Sequence, residues 1–271
     1  MKIIETFICG KKDDPALCED MIVTTPDFYA VIDGATTKTC PQVAGKSGGR
    51  FAAEMIATGV ESLPADIGGK QAVTVLTQIL RQATAAHMRD TGGFEKPSCC
   101  FAIYSRARRQ IWRVGDIGIL CDGTAHMAGK SIDDITSAAR AMMTQALLLK
   151  GETVDSLRAD DKGRAFIMPL LQQQHLFANR ADAGGFGYGV MNGDDIPDVF
   201  VDVIEAFDVS EIVLASDGYP VLQRSLAQSE AALQKILTED PLLCQLHFST
   251  KGQQAGQVSF DDRSYLRFKP E

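Results

Sequence analysis

The hydrophobic residues of this chain follow two different periods, and the period changes along the sequence. Near the start, apolar residues come in short extended blocks bounded by turn residues, which is typical of β-strands. The strands predicted there cover residues 3–8, 21–24 and 28–32. Farther on, apolar residues recur every three or four positions, which predicts helices over residues 47–62 and 70–89. Pro64 closes the first of these helices, and Gly92-Gly93 closes the second.

The second half of the chain returns to extended blocks and then mixes the two periods. Strands are predicted over residues 99–104, 111–114, 117–121, 190–193, 199–207, 211–215 and 264–268. A helix is predicted over residues 131–150, with Ser131 as its N-cap and Gly151 as its C-cap. Residues 152–180 are predicted to be helical in pieces, broken at Gly163 and Pro169. Further helices are predicted over residues 229–238 and from Asp240-Pro241 onwards.

The order of these elements indicates the fold class. Strands, two helices, strands, helices and strands do not follow the regular alternation of a doubly wound parallel sheet. The order favours a layered α+β architecture in which helices cover antiparallel sheets. The sequence shows no internal repeat and no linker, so we expect residues 1–271 to form a single domain.

Composition and charge exclude several classes of partner. The net charge of -8 argues against a nucleic acid or an anionic membrane as the main partner. The one basic stretch, residues 106–109, is interpreted as a hairpin turn. The sequence has no run of about twenty apolar residues and no signal-peptide pattern. The seven cysteines lack CxxC spacing and the four histidines are scattered, so we expect reduced thiols, no zinc site and a cytoplasmic location.

Acidic residues recur where the apolar strands end. Asp33-Gly34 follows the strand at residues 28–32, Gly115-Asp116 follows residues 111–114, and Asp217-Gly218 follows residues 211–215. Each aspartate alone is explained by turn formation, because Asp-Gly is a common turn dipeptide. Several carboxylates held at one rim of a sheet would instead make an all-oxygen site for Mg²⁺ or Mn²⁺.

At this point the sequence resembles the metal-dependent protein phosphatases of the protein phosphatase 2C type. Glu19-Asp20 resembles the early Glu-Asp pair of that family, and residues 29–34 resemble its apolar strand ending in Asp-Gly. Residues 113–116 (Arg-Val-Gly-Asp) resemble its Val-Gly-Asp turn. Residues 212–218 (Ile-Val-Leu-Ala-Ser-Asp-Gly) resemble its most recognisable motif. Residues 261–264 resemble its closing Asp-Asn-x-Ser/Thr. The motifs occur in the family's order over nearly the whole chain.

The resemblance implies a four-layer α-β-β-α sandwich, in which helices flank two stacked antiparallel sheets. It also implies two Mg²⁺ or Mn²⁺ ions at one edge of the sandwich, which activate a water molecule for attack on phosphorus. The residues implied to hold the ions, directly or through water, are Glu19, Asp20, Asp33, Gly34, Asp116, Asp217 and Asp261. Asp33 would bridge both ions and is the implied catalytic residue. Asp116 would help hold a weaker third ion.

Three departures from the family pattern concern the substrate and the third ion. The family's arginine shortly before Glu-Asp is missing, and only Lys11 or Lys12 stands near enough to replace it as a point charge. Residues 35–37 (Ala-Thr-Thr) lack the histidine proposed as general acid, so water or another acid must protonate the leaving group. Val221 stands where a second aspartate often follows Asp217, so the third ion is expected to be weak or absent.

The sequence therefore leaves three functions open. The leading hypothesis is a metal-dependent phosphatase for phosphoserine and phosphothreonine, with a phosphoprotein substrate and a cognate serine/threonine kinase system. The first alternative is a regulatory binding module of the same fold that is catalytically weak or inactive. The second is a phosphatase for a small metabolite. The clustered carboxylates favour catalysis, because unpaired acidic groups are costly to hold together without a cation.

Overall fold

The protein folds into two stacked five-stranded antiparallel sheets covered by helices. This computed structural model describes residues 1–12, 14–39, 42–87, 95–126 and 128–270. The first sheet contains, in spatial order, β1 (Lys2–Cys9), β10 (Arg263–Lys269), β9 (Ile212–Ala215), β6 (Gly118–Cys121) and β7 (Thr124–His126). The second contains β2 (Met21–Thr24), β3 (Phe28–Gly34), β4 (Cys99–Ser105), β5 (Gln110–Val114) and β8 (Asp202–Glu205).

Alternation along the central strands builds two separate apolar layers. In β3, Val31 points between the sheets, where it packs with residues such as Leu214 and Phe268 of the first sheet. Its neighbour Ile32 points to the opposite face, where it joins the layer beneath the helices with Ile56. Because both faces of β3 are covered, the strand is apolar from Phe28 to Ile32, and its one acidic residue, Asp33, comes just before its end at Gly34.

Six helices flank the sheets in the part of the chain that the structure describes. The helices α1 (Gly48–Glu61) and α2 (Gly69–His87) cover the second sheet, and α6 (Leu226–Glu239) covers the first. A separate helical group, made of α3 (Ser131–Leu149), α4 (Val154–Ala159) and α5 (Lys162–Leu171), packs against the loop that follows α6. No helix within the described residues is both long and apolar enough to cross a membrane.

The predicted α+β class and the four-layer sandwich are confirmed. The predicted helices 47–62 and 131–150 appear within one or two residues of their predicted bounds, and residues 106–109 form the hairpin turn between β4 and β5. The helix predicted over residues 70–89 is present as α2, but its predicted end at Arg89 and Gly92-Gly93 lies outside the described residues.

Several local predictions were wrong, each for an identifiable reason. The N-cap of α3 is Lys130, because the Ser131 hydroxyl donates to the Gly185 carbonyl rather than capping its own helix. No helix opens at Asp240-Pro241, because the Asp240 carboxylate accepts the backbone N–H groups of residues 244–246 and holds them in a turn. Gly163 and Pro169 do not break the chain but lie inside α5.

Two predicted strands are also shorter than expected or missing. The strand predicted over residues 199–207 is reduced to β8, because residues 198–200 form a single 3₁₀ turn. Residues 190–193 form no strand, and Met191 makes only an isolated bridge to Cys99. Both segments lie at the border of the second sheet, where tertiary contacts outweigh local strand propensity.

Candidate active site

The acidic residues of the five motifs all lie at the same end of the two sheets. The start of β2 pairs with the end of β3, which brings Glu19 and Asp20 beside Asp33. In the other sheet, the end of β9 pairs with the start of β10, which brings Asp217 beside Asp261. Antiparallel pairing therefore places the motifs together, although residues 19 and 261 stand far apart in the sequence.

The acidic residue of the remaining motif, Asp116, depends on a tight turn between the sheets. Gly115 adopts a φ of +91°, which favours glycine. A Cβ atom at Gly115 would lie 2.2 Å from the Cys100 Sγ atom, so a larger residue would displace β4. This close approach places Asp116 on the same cavity as Asp33.

A cavity of about 130 Å³ opens at this end of the sandwich. Five of the seven predicted site residues line it: Asp33, Gly34, Asp116, Asp217 and Asp261. Glu19 lines a neighbouring cavity, and Asp20 is almost completely buried behind the first one. The structure thus brings all seven predicted residues to one edge of the sandwich. Five line the cavity, Glu19 lines the neighbouring cavity, and Asp20 lies buried behind the first.

Asp20 joins the two sheets directly behind the cavity. Its Oδ2 atom accepts a hydrogen bond of 2.6 Å from the Ser216 hydroxyl, and that hydroxyl accepts the backbone N–H of Ser264 at 2.9 Å. The Oδ1 atom of Asp20 is buried and has no hydrogen-bond partner among the described residues. A buried carboxylate oxygen without a partner is costly, and it is the kind of atom that a cation or its bound water would satisfy.

Three carboxylates in the site lie close together and form no salt bridge among the described residues, although the charges of Lys251 and Lys130 partly offset the repulsion at Asp217. Burial, reinforced by the negative charges of Asp20 and Asp217, raises the pKa of Asp33 well above its ordinary value. Burial and the Asp261 charge raise the pKa of Asp217 to about 7. Burial also raises the pKa of Asp20 to about 7, against the hydrogen bond from Ser216. Mutual repulsion of this kind is relieved by a divalent cation.

The other carboxylates are already paired with lysines. Lys130 lies 3.0 Å from Asp116, and although burial opposes ionisation, this ammonium group keeps the pKa of Asp116 below its ordinary value. Lys251 and Lys11 both contact Asp261, and their charges outweigh burial and lower its pKa. Lys130 and Lys251 were not predicted from the sequence to belong to the site.

Lys11 and Glu19 belong to a network around the edge of the cavity. The Lys11 ammonium lies 3.3 Å from Asp261, 3.4 Å from Asp262 and 3.8 Å from Glu19. Glu19 also accepts hydrogen bonds of 2.5 Å from the hydroxyls of Thr36 and Ser47. Lys11 is therefore surrounded by carboxylates, and its charge is largely used within the protein.

The donor chemistry suits Mg²⁺ or Mn²⁺, but the side chains do not form a closed coordination shell. Within the described residues, no group of three or more His, Cys, Asp or Glu side chains is arranged to hold a metal ion. The carboxylates at the edge turn toward lysines, whereas those of Asp20, Asp33 and Asp217 repel one another. The mutual repulsion of these three carboxylates and the unpaired Asp20 Oδ1 atom are features that a bound cation would relieve.

Comparisons with known proteins place the fold. No protein-family model matches the chain, and no curated protein matches it in sequence. Among solved structures, it is similar to the serine/threonine phosphatase PstP/Ppp of Mycobacterium tuberculosis, with 12% identity over 100% of both chains and a TM-score of 0.51. It is also similar to a bacterial serine phosphatase, with 12% identity over 98% of this chain and 97% of the other and a TM-score of 0.50. The chain therefore has a phosphatase-type fold, and the predicted resemblance is confirmed at the level of the fold.

Proposed function

We propose that this protein is a divergent phosphatase of the protein phosphatase 2C type that hydrolyses phosphoserine and phosphothreonine with the help of Mg²⁺ or Mn²⁺. The observation that carries the proposal is the set of mutually repelling carboxylates at the sheet end, in a fold shared with a serine/threonine phosphatase and a bacterial serine phosphatase. Residues 1–271 act as one domain. The substrate is a phosphoprotein made by a serine/threonine kinase.

Each strand-end residue has a defined task in this proposal. Asp33 and the Gly34 carbonyl, at the end of β3, would hold both cations together with Asp217, Asp261 and Glu19. Asp20 would act through water, while its contact with Ser216 fixes the sheet ends. Bound cations would activate a water molecule for in-line attack and neutralise charge on the phosphoryl oxygens.

Two features of the chain limit the reaction. No histidine lines the cavity of about 130 Å³ that holds Asp33, although His247 lines an adjoining cavity that shares Asp116 and Asp217. Water or another acid must therefore protonate the leaving alcohol. Asp116 is paired with Lys130, which disfavours a third cation beside it. We therefore expect slower turnover than in a phosphatase that has a general acid and a third cation.

The first test combines metal binding with catalysis. Chelator-treated protein is titrated with Mn²⁺ by calorimetry, and hydrolysis of a chromogenic phosphate ester is measured over the same concentrations. Two binding events with activity rising in step are expected. Absence of Mn²⁺ binding would refute the proposal. If the protein is active, competition between a phosphopeptide and small phosphorylated metabolites separates the two substrate classes.

A second candidate is a regulatory module that binds phosphorylated partners without hydrolysing them. The lysine partners of Asp116 and Asp261 favour it, because an ammonium group can replace a cation electrostatically without activating water. Mn²⁺ binding without turnover of any phosphate ester would support this candidate. Phosphopeptide binding that needs no metal would support it further.

A further inference from the structure

Four basic side chains line the same cavity as Asp33 and Asp217. They come from four separate segments of the chain: Lys38 after β3, Lys130 before α3, Arg164 in the first turn of α5, and Lys251 in the loop before β10. Burial, together with the charges of Lys251, Arg164 and Lys130, lowers the pKa of Lys38 against the opposing effect of Glu95. The basic groups are therefore close enough to repel one another.

Only two of these four groups form salt bridges among the described residues. Lys130 has Asp116 at 3.0 Å, Asp133 at 3.7 Å and the Tyr188 ring centroid at 5.3 Å. Lys251 is paired with Asp261. Their charges are thus balanced within the site.

Lys38 and Arg164 have no such partner among the described residues. The Arg164 side chain donates 2.7 Å from Nη1 to the Thr250 carbonyl and makes no ion pair there. At Lys38, the backbone N–H, and not the ammonium group, donates a hydrogen bond of 2.6 Å to the Glu95 carboxylate. The charges of Glu95 near Lys38 and of Asp161 and Asp261 near Arg164 do not outweigh burial, which lowers the pKa of both basic groups. Half-buried cations without a salt bridge are unfavourable, so an anion at this point of the cavity would stabilise the folded protein.

We infer that Lys38 and Arg164 bind the phosphoryl group of the substrate and replace the arginine that the chain lacks before Glu19. The guanidinium group offers a planar pair of donors to two phosphate oxygens, and the ammonium group adds a point charge. Two positive charges match the dianion of a phosphate monoester. A cavity of about 130 Å³ has room for a phosphoryl group and the first atoms of its ester, and Asp33 and Asp217 line the same space.

The position of Arg164 is fixed by a carboxylate that also fixes the loop of Lys251. Asp161 caps α5 by accepting the Arg164 backbone N–H at 2.8 Å, and it accepts the Gly252 N–H at 3.3 Å. The fully buried Arg140 donates to the same carboxylate at 2.7 Å and to the Leu242 carbonyl at 2.8 Å. One buried ion pair therefore holds the two segments that bring Arg164 and Lys251 to the cavity.

The inference rests on the proposed function for the substrate class, and the binding test is independent of turnover. Binding of inorganic phosphate is measured by calorimetry with metal-free and Mn²⁺-loaded protein. Arg164→Ala should weaken phosphate binding by about 10- to 100-fold, because hydrogen bonds to charged groups are lost. Arg164→Lys should recover part of the loss, and Lys38→Met should weaken binding by roughly tenfold. Arg180→Ala removes an exposed arginine paired with Asp182 and serves as the control with unchanged binding.

Calorimetric Mn²⁺ binding should not become weaker in Arg164→Ala. Among the described residues that side chain makes no hydrogen bond or salt bridge to a predicted metal residue, and its positive charge acts on Asp261. Wild-type phosphate affinity in both Arg164→Ala and Lys38→Met would overturn the inference, even in an enzyme that hydrolyses phosphate esters. Phosphate binding that depends on Arg164 in a protein without turnover would support the inference while refuting the proposed catalysis. If Arg164→Ala fails to fold by circular dichroism, Arg164→Lys and Lys38→Met decide the result.

Discussion

The acidic and the basic sides of the cavity are built in different ways. The acidic residues lie at the ends of strands, so sheet pairing fixes most of their positions, and the Gly115 turn between the sheets fixes Asp116. The basic residues come from a loop, two helix starts and a second loop, and a buried ion pair fixes part of that arrangement. The comparison shows that the rigid part of the site suits cations that must be held at a fixed spacing. The part assembled from irregular segments suits a ligand that arrives and leaves.

The largest expected effect comes from the acidic side. Asp33→Asn should reduce phosphate-ester hydrolysis by at least about 10³-fold, because it removes charge where two cations would be bridged. The same substitution should raise the melting temperature of the chelator-treated protein, because a repelling carboxylate is lost. Steady-state kinetics and thermal unfolding measure the two effects.

Asp27→Asn provides a matched control for Asp33→Asn. Asp27 precedes β3 at the end opposite Asp33. It should leave both activity and metal-free stability unchanged. Normal activity in Asp33→Asn would mean that the site assignment is wrong.

Removing the support of the basic side of the cavity should lower the stability of the fold more than it lowers activity. Arg140→Met leaves Asp161 buried without its partner, which should lower the free energy of unfolding by about 3–5 kcal/mol in urea titrations. It should also weaken phosphate binding, because α5 and the Lys251 loop lose their common anchor. Arg158→Met, which removes contacts to Gln253 and no ion pair among the residues described, should have a clearly smaller effect. Equal losses in both variants would contradict the role of Arg140.

A smaller effect is expected where the two sides meet, at Lys11. Lys11→Met removes an ammonium group that lies within 4 Å of Glu19 and Asp261, so Mn²⁺ should bind roughly tenfold more tightly. Calorimetry measures the change, and the exposed neighbour Lys12 supplies the control substitution Lys12→Met. Weaker Mn²⁺ binding in Lys11→Met would instead show that Lys11 holds the carboxylates in position for the cation.

The smallest effect is a pH dependence of the metal-free protein. Asp20 and Asp217 have a pKa of about 7 in the folded protein, above the ordinary value of 3.8. Because the folded state binds protons more readily than the unfolded state, stability should rise as the pH falls from about 8 to 5. Thermal unfolding in a chelating buffer measures this trend. Saturating Mn²⁺ should remove it, and a metal-free protein that loses stability over this range would contradict the assigned repulsion.

The sequence was informative wherever the chemistry coincides with a local pattern. An apolar run followed by Asp33-Gly34 or Asp217-Gly218 predicts both a β-strand and an aspartate held at the end of that strand. The same holds for the four-layer fold, because its strands and helices differ clearly in period. The uses of Glu19 and Asp261 as site residues remain predictions, although the structure places both at the expected edge.

The basic residues escaped prediction because their proximity is a tertiary property. Nothing near Lys251 or Lys38 in the sequence points to a cavity formed by distant strands. A weak signal did exist at Lys130 and Arg164. Both stand at the start of a helix, where a positive charge opposes the helix dipole and therefore needs another explanation. The N-cap predicted at Ser131 was wrong for the same reason, since its hydroxyl donates to the carbonyl of Gly185, which is distant in the sequence.

The pairing of β1 with β10 determines when this site can form during protein synthesis. Within the described residues β1 pairs only with β10, so β1 cannot complete its pairing until Arg263–Lys269 has been made. Asp262, just before β10, also accepts the backbone N–H of Lys11 at 2.8 Å and of Glu19 at 3.1 Å. A ribosome-bound chain that still lacks β10 therefore has neither a closed first sheet nor an assembled acidic edge. Under the proposed function, cations and phosphate esters would meet a finished site only after β10 has been made.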